Sequence, residues 1–103
     1  MSAVLHLGKN TFDAAVSSGK PVLVDFYADW CGPCRMLAPL LEQIAEERGD
    51  VVVAKVNVDN EQELAERFGV FSIPTLIVMK DGEAVNRATG ARPKAQILAL
   101  LEG

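Results

Sequence analysis

Six consecutive residues, Val22-Leu23-Val24-Asp25-Phe26-Tyr27, are apolar except for one aspartate. A strand with one wet face alternates apolar and polar residues. A run that is apolar at both parities is covered on both faces, so this one belongs at the centre of a sheet. The rest of the chain has to supply the two covering layers.

It does so by alternating strands with helices over short connections, the pattern of an α/β domain. A short strand is predicted over Val4 to Leu7. Asn10 or Thr11 can cap a helix that buries Phe12, Ala15 and Val16, and Gly19-Lys20-Pro21 ends it. Beyond the central strand, Met36, Leu37, Leu40, Leu41, Ile44 and Ala45 recur at helical spacing up to Arg48-Gly49. Pro39 falls inside that helix and should kink it by removing one intrahelical bond. Val51 to Val58 forms another strand. Asp59 can cap the next short helix, with Glu61 and Glu63 in its first turn, Leu64 and Phe68 buried, and Gly69 as the stop.

Thr75 to Lys80 and Glu83 to Thr89 flank Asp81-Gly82, a strong hairpin signal, so the last two strands are antiparallel. Pro93 opens a final helix that buries Ile97, Leu98 and Leu101. The predicted order is βαβαβαββα: a mixed five-stranded sheet with four helices on its two faces, in one domain spanning residues 1–103.

Composition narrows the function classes. Half of the 103 residues are apolar, enough for a core that needs no covalent staple. The net charge is −4, and the ten Lys and Arg residues are scattered, so nothing follows a phosphate backbone and nucleic-acid binding is disfavoured. No apolar run reaches the roughly 18–20 residues of a membrane span. The first residues, Met1-Ser2-Ala3-Val4, show no charged region followed by an apolar stretch. The cytoplasm is the expected location.

The chemistry is concentrated in Trp30-Cys31-Gly32-Pro33-Cys34, which holds both cysteines of the chain. A Cys-x-x-Cys pair suits a zinc site or a dithiol that cycles to a disulfide. A structural zinc site normally takes four Cys or His ligands. The only histidine, His6, lies 25 residues before Cys31, and a fourth ligand is missing. Redox chemistry is the leading reading. A purely structural bridge is disfavoured because closing a four-residue loop gains only about 2 kcal/mol, against about 4.7 for a 100-residue loop.

The two sulfurs differ. Cys31 follows the central strand where the next helix begins, and the positive end of a helix favours a thiolate. A thiol of pKa about 8.5 is roughly 3% ionised at pH 7. Lowering it by about 1.5 units takes about 2 kcal/mol of thiolate stabilisation and ionises about half. Helix-end amides and the Cys34 thiol as a donor are candidates to supply it, making Cys31 the better nucleophile. Cys34, one turn inside, is the resolving thiol. Pro33 suits a first helical turn, and Gly32 presents no side chain to an incoming disulfide.

Two further residues stand out. Asp25 is expensive to bury. It is either a polar residue at a strand edge or a buried acid of raised pKa, placed to exchange a proton with Cys34. Lys55 interrupts the neighbouring strand and either reaches Asp25 or points to solvent. Pro74, between Ile73 and Thr75, opens a strand at a cost in ladder bonds. A cis Ile73–Pro74 bond would present the Ile73 backbone to a ligand, but spacing does not decide its isomer.

Taken together, Val24-Asp25-Phe26-Tyr27-Ala28-Asp29-Trp30-Cys31-Gly32-Pro33-Cys34-Arg35, Pro39, Lys55-Val56-Asn57-Val58-Asp59, Ile73-Pro74-Thr75, Lys80-Asp81-Gly82 and Gly90-Ala91 resemble the thioredoxin family over the whole chain. The resemblance implies the thioredoxin fold and a protein-disulfide reductase. Cys31 would attack a substrate disulfide, and Cys34, assisted by Asp25, would resolve the mixed disulfide. It also implies a cis Pro74 bond against the cysteine pair. Trp30, Gly32, Pro33, Ile73, Pro74, Gly90 and Ala91 would form a flat apolar dock for disulfide-containing proteins. Lys55, Gly32 and Pro33 would tune the pair. Electrons would come from a thioredoxin reductase, an NADPH-dependent flavoenzyme, with no cofactor bound by the chain itself.

Two positions depart from the pattern. Tyr27 stands where many relatives carry a second Trp, and Arg92 lies beside the expected dock, where it bears on partner choice. Oxidases and isomerases of the superfamily more often carry a His between the cysteines, so Gly32-Pro33 resembles the reducing members. An oxidase or isomerase, and a binding subunit indifferent to redox state, are the alternatives.

Overall fold

The computed structural model describes residues 3–103, so Met1 and Ser2 of the expected 1–103 domain lie outside the described residues. The element order is β1 (Leu5–His6), α1 (Phe12–Val16), β2 (Val22–Tyr27), α2 (Gly32–Glu47), β3 (Val52–Asn57), α3 (Gln62–Arg67), β4 (Thr75–Lys80), β5 (Glu83–Thr89) and α4 (Lys94–Glu102). The five strands pair in the order β1-β3-β2-β4-β5. β2 runs parallel to β3 and antiparallel to β4, and β1 is parallel to β3. The strand that the sequence demands be central is indeed the middle one.

Each face of the sheet carries its own core. Val22, Val24 and Phe26 point to the side of α1 and α3, packing with Phe12, Val16, Leu64, Ala54, Val56 and Ile77. Phe68 joins this face, its ring centroid 5.2 Å from that of Phe12 and 5.9 Å from that of Phe26. Leu23 points the other way, against Leu37, Leu41 and Ile44 of α2, Ile97 of α4, Val53 and Leu76. Because side chains alternate along a strand, Asp25 shares the face of Leu23, the one covered by α2. Its register partners are Lys55 on β3 and Leu76 on β4. Alternation thus puts the aspartate and the lysine on the face that carries the cysteine helix.

Three local expectations are corrected. β1 is two residues long, not four: Val4 and Leu7 are buried at its ends, but β1 pairs with β3 alone at the sheet edge. Thr11 does precede α1, but its hydroxyl bonds Gly8, donating to the carbonyl and accepting from the amide, and caps no helical N–H. Asp59 does not cap α3. The Asn57 side chain accepts from the Asp59 amide, and the Asn57 carbonyl accepts from Asn60 and Glu61. That turn uses up the chain before the helix starts, so Glu61 becomes the N-cap and Asp59 is left for another partner.

The hairpin follows its signal. Asp81 and Gly82 have φ of 51° and 81°, the pair of positive values that a type I′ turn requires. Pro39 lies within α2 without ending it. The register of β4 against the outer strand β5 slips between Val78 and Met79, which pair with Asn86 and Ala84 and leave Val85 of β5 over, a bulge of the kind that discourages pairing at a sheet edge.

Candidate active site

Cys31 is the N-cap residue of α2, with extended backbone angles of −87° and 112°. Its Sγ accepts a hydrogen bond from the Cys34 amide at 3.2 Å, so the sulfur occupies the place where a capping oxygen normally sits. Cys31 and Cys34 form a disulfide, with Cα atoms 5.3 Å apart. Pro33 lies in the first turn, where its missing N–H costs nothing. A Cβ added to Gly32 would meet nothing within 4 Å, so no internal packing requires a glycine there. The constraint, if any, comes from what approaches.

The sulfurs are less accessible than their surroundings. Cys31 is 4% exposed and Cys34 2%, packed against Ala28 with Tyr27, Val58 and Ile73 alongside. The difference between the two has the expected sign, but both are buried. Around them the surface is open: Trp30 is 68% exposed, and Gly32 and Pro33 are exposed. The Trp30 indole N–H donates to an Asp59 carboxylate oxygen at 2.9 Å, the role left to Asp59 once Glu61 begins α3. Neither residue's spacing in the sequence signals that bond.

A second loop closes on the pair from the side. The Ile73 carbonyl lies 3.9 Å from Cys31 Sγ. The Ile73–Pro74 bond is cis. Thr75 donates its hydroxyl to the Ser72 carbonyl at 2.7 Å, and the Gly90 amide donates to the Pro74 carbonyl at 2.8 Å. The loops carrying Ile73-Pro74 and Gly90-Ala91 are therefore fastened to each other beside the disulfide. Pro74 is itself buried, Ile73 and Gly90 are half-buried and Ala91 is exposed. Of the seven residues expected to form a dock, Pro74 lies beneath the surface.

On the inner side, Asp25 has no solvent exposure, and neither carboxylate oxygen has a hydrogen-bond partner among the described residues. Burial pushes its pKa up to about 7, and the positive charge of Lys55 opposes the rise without bonding to it. The strand-edge reading of Asp25 is thereby set aside. Lys55 neither bonds Asp25 nor points freely to solvent. It is half-buried, with its ammonium 4.1 Å from the centroid of the Tyr27 ring. Lys55 and Cys34 line one cleft of about 160 Å³ together with Tyr27, Ala28, Asp29, Arg35 and Ala38.

Helical spacing misreads one residue near the site. Met36 matches the apolar period of α2 yet is 74% exposed, because the buried face of that helix is the one carrying Cys34, Leu37 and Leu41, and Met36 lies off it. Phe71, 96% exposed and two residues before Ile73, gives no signal in the sequence; a lone aromatic in a loop has no period to betray it. Among the described residues no group of three or more His, Cys, Asp or Glu side chains is arranged to hold a metal ion.

Comparison with known proteins agrees with this geometry. The Thioredoxin family model matches residues 3–103. A thioredoxin of Mycobacterium tuberculosis is 60% identical over 94% of this chain and 85% of its own length. The bifunctional thioredoxin reductase/thioredoxin of Mycobacterium leprae is 53% identical over 84% of this chain, a match that occupies 19% of that longer protein. Among solved structures, a point mutant of a thioredoxin from Halobacterium salinarum superposes with a TM-score of 0.88 at 40% identity, covering 99% of this chain and 93% of the other. The chain belongs to the thioredoxin family and is a thiol–disulfide oxidoreductase built on the Cys31–Cys34 pair.

Proposed function

We propose that this protein reduces disulfide bonds of other proteins, with Cys31 attacking, Cys34 resolving and Asp25 handling the proton. The observation that carries the assignment of roles is the capping geometry: Cys31 Sγ sits at the N-terminus of α2 and accepts from the Cys34 amide. A thiolate there keeps that bond and gains the positive end of a 16-residue helix.

In the first step the Cys31 thiolate attacks one sulfur of the substrate disulfide, and the other substrate sulfur leaves as a thiolate. In the second, Cys34 gives its proton to Asp25 and attacks Cys31 Sγ. The Cys31–Cys34 disulfide forms and the second substrate sulfur departs, so the substrate has gained two electrons and the protein has lost two. An acid of pKa about 7 holds comparable amounts of both forms near neutrality, which suits a group that must accept and later release a proton. Lys55 limits how far burial raises that pKa. Trp30, Gly32, Pro33, Ile73, Gly90 and Ala91 offer the contact surface around the buried sulfurs, with Pro74 supporting it from below, and the Ile73 backbone beside Cys31 is available to pair with substrate.

The returning electrons come from NADPH through a flavin-containing thioredoxin reductase. The joining of a thioredoxin reductase to a thioredoxin in the Mycobacterium leprae relative supports that partnership. No helix among the described residues is long and apolar enough to cross a membrane, and we place the activity in the cytoplasm, where a reductant supply is available.

The test is insulin reduction with NADPH and a thioredoxin reductase. Cys31→Ser abolishes turnover, and Cys34→Ser accumulates a mixed disulfide on Cys31. Adduct formation at Cys34 in the Cys31→Ser protein, or no adduct with Cys34→Ser, overturns the assignment.

A further inference from the structure

Next to the disulfide face lies a hollow that shares only Ala91 with the contact surface of the proposed reaction. It has a volume of about 310 Å³ and is lined by Met36, Leu37 and Leu40 of α2 and by Ala91, Arg92 and Pro93 of the turn before α4. It adjoins the reactive pair along both of its walls. Met36 follows Cys34 by two residues on the same helix, and Ala91 follows Gly90, whose amide is fastened to the Pro74 carbonyl. Ligand pockets run from about 300 to about 1,000 Å³, so this hollow suits one large side chain rather than a folded segment.

Five of the six lining residues are apolar; the sixth is a cation. The guanidinium of Arg92 donates from one terminal nitrogen to the Thr89 carbonyl at 3.0 Å. Its Nε is buried and has no acceptor among the described residues, and no carboxylate pairs with it there. That Nε is out of reach of an incoming group, but the guanidinium charge has no carboxylate partner among the described residues. A cation set in an apolar wall is complementary to a carboxylate that reaches its terminal nitrogens next to an apolar group.

Resting on the reading of this chain as a protein-disulfide reductase, we infer that the hollow is a second substrate subsite. It takes a bulky apolar side chain of a disulfide-bearing protein, and Arg92 binds an aspartate or glutamate adjacent to that side chain. The subsite selects among substrates by sequence at a distance from the scissile disulfide.

The test uses disulfide-bridged peptides in which a Leu-Glu pair is moved stepwise away from the cysteine, each matched by a Leu-Gln control. For the wild-type protein, kcat/KM favours Glu over Gln about fivefold at one spacing, the upper range for a partly exposed ion pair, and the preference shrinks as salt is raised. Arg92→Leu brings the Glu/Gln ratio to about one at every spacing, while Arg92→Lys retains part of it; circular dichroism establishes that both variants are folded. A wild-type ratio near one at all spacings overturns the inference, as does a ratio unchanged by Arg92→Leu. Sedimentation that shows a dimer lost in Met36→Glu also overturns it, since a second copy would then fill the hollow. Reduction of the uncharged 2-hydroxyethyl disulfide by the wild-type protein is measured in parallel. If that fails, the reductase reading has fallen; if it succeeds without a Glu/Gln preference, only the subsite has.

Discussion

Replacing Asp25 by Ala should make the protein more stable at alkaline pH and nearly indifferent to pH through the range where the wild type weakens. Asp25 is wholly buried and unpartnered, and its pKa stands at about 7, against 3.8 for the free side chain. The sign follows from linkage. Between those two values the unfolded chain has released the proton and the folded chain still holds it, so raising the pH favours unfolding. The stability associated with the neutral acid is complete below pH 3.8 and is lost as pH rises to about 7. A shift of roughly three units at 1.36 kcal/mol each amounts to about 4 kcal/mol. Truncation to Ala opens a small cavity that costs about 1 kcal/mol at every pH, so it does not alter the slope. Urea unfolding of the oxidised proteins at pH 3.5 and pH 8.5 reads the effect, with the disulfide intact in both. The gap between mutant and wild type should move by about 4 kcal/mol in the mutant's favour across that interval. A change below about 1 kcal/mol would show that Asp25 is hydrated or paired in solution. The catalytic corollary is a slower resolution step in Asp25→Ala, with the inflection near pH 7 gone from its rate profile; an unchanged profile between pH 6 and 9 refutes the proton role.

Lys55→Met removes the one charge that opposes the rise in the Asp25 pKa, so the fall of stability with pH should extend to higher pH. The same urea series checks it, and an unmoved limb shows that Lys55 is too well solvated to matter. Asp59→Ala deprives the Trp30 indole of its acceptor. Stability should change by no more than about 1 kcal/mol, but the fluorescence anisotropy of this single tryptophan should fall as the ring gains freedom. An unchanged anisotropy means packing alone holds the indole. Phe12→Ala should cost about 3–5 kcal/mol, because the ring is buried between α1 and the sheet and packed on Phe68. A loss under about 1 kcal/mol in urea would show that this face of the core collapses around the gap.

Residues whose character is set by a layer were legible, and residues whose role is set by a turn were not. β4 and β5 match their predicted limits because Asp81-Gly82 fixes both strand ends at once, and β2 is central because no alternation in it permits a wet face. The same run left Asp25 open between a strand edge and the interior, and the structure buries it. What needed the structure was every contact made across the chain by a side chain without a period. Asp59 has the residue type of a helix cap, yet Asn57 consumes the backbone it would have capped, and the carboxylate turns to Trp30 instead. Met36 reads as core, yet the buried stripe of α2 runs through Cys34, Leu37, Leu41 and Ile44, and Met36 stands beside that stripe with 74% of its surface exposed. The sheet dictates burial only over its own width, and the loops that extend past the ends of β2 and β4 answer to their own hydrogen bonds. Those loops carry Trp30, Cys31, Ile73 and Pro74. The part of the chain that periodicity describes least is therefore the part where the chemistry sits, and it was readable only because two cysteines spaced three apart announce their chemistry without help from the fold.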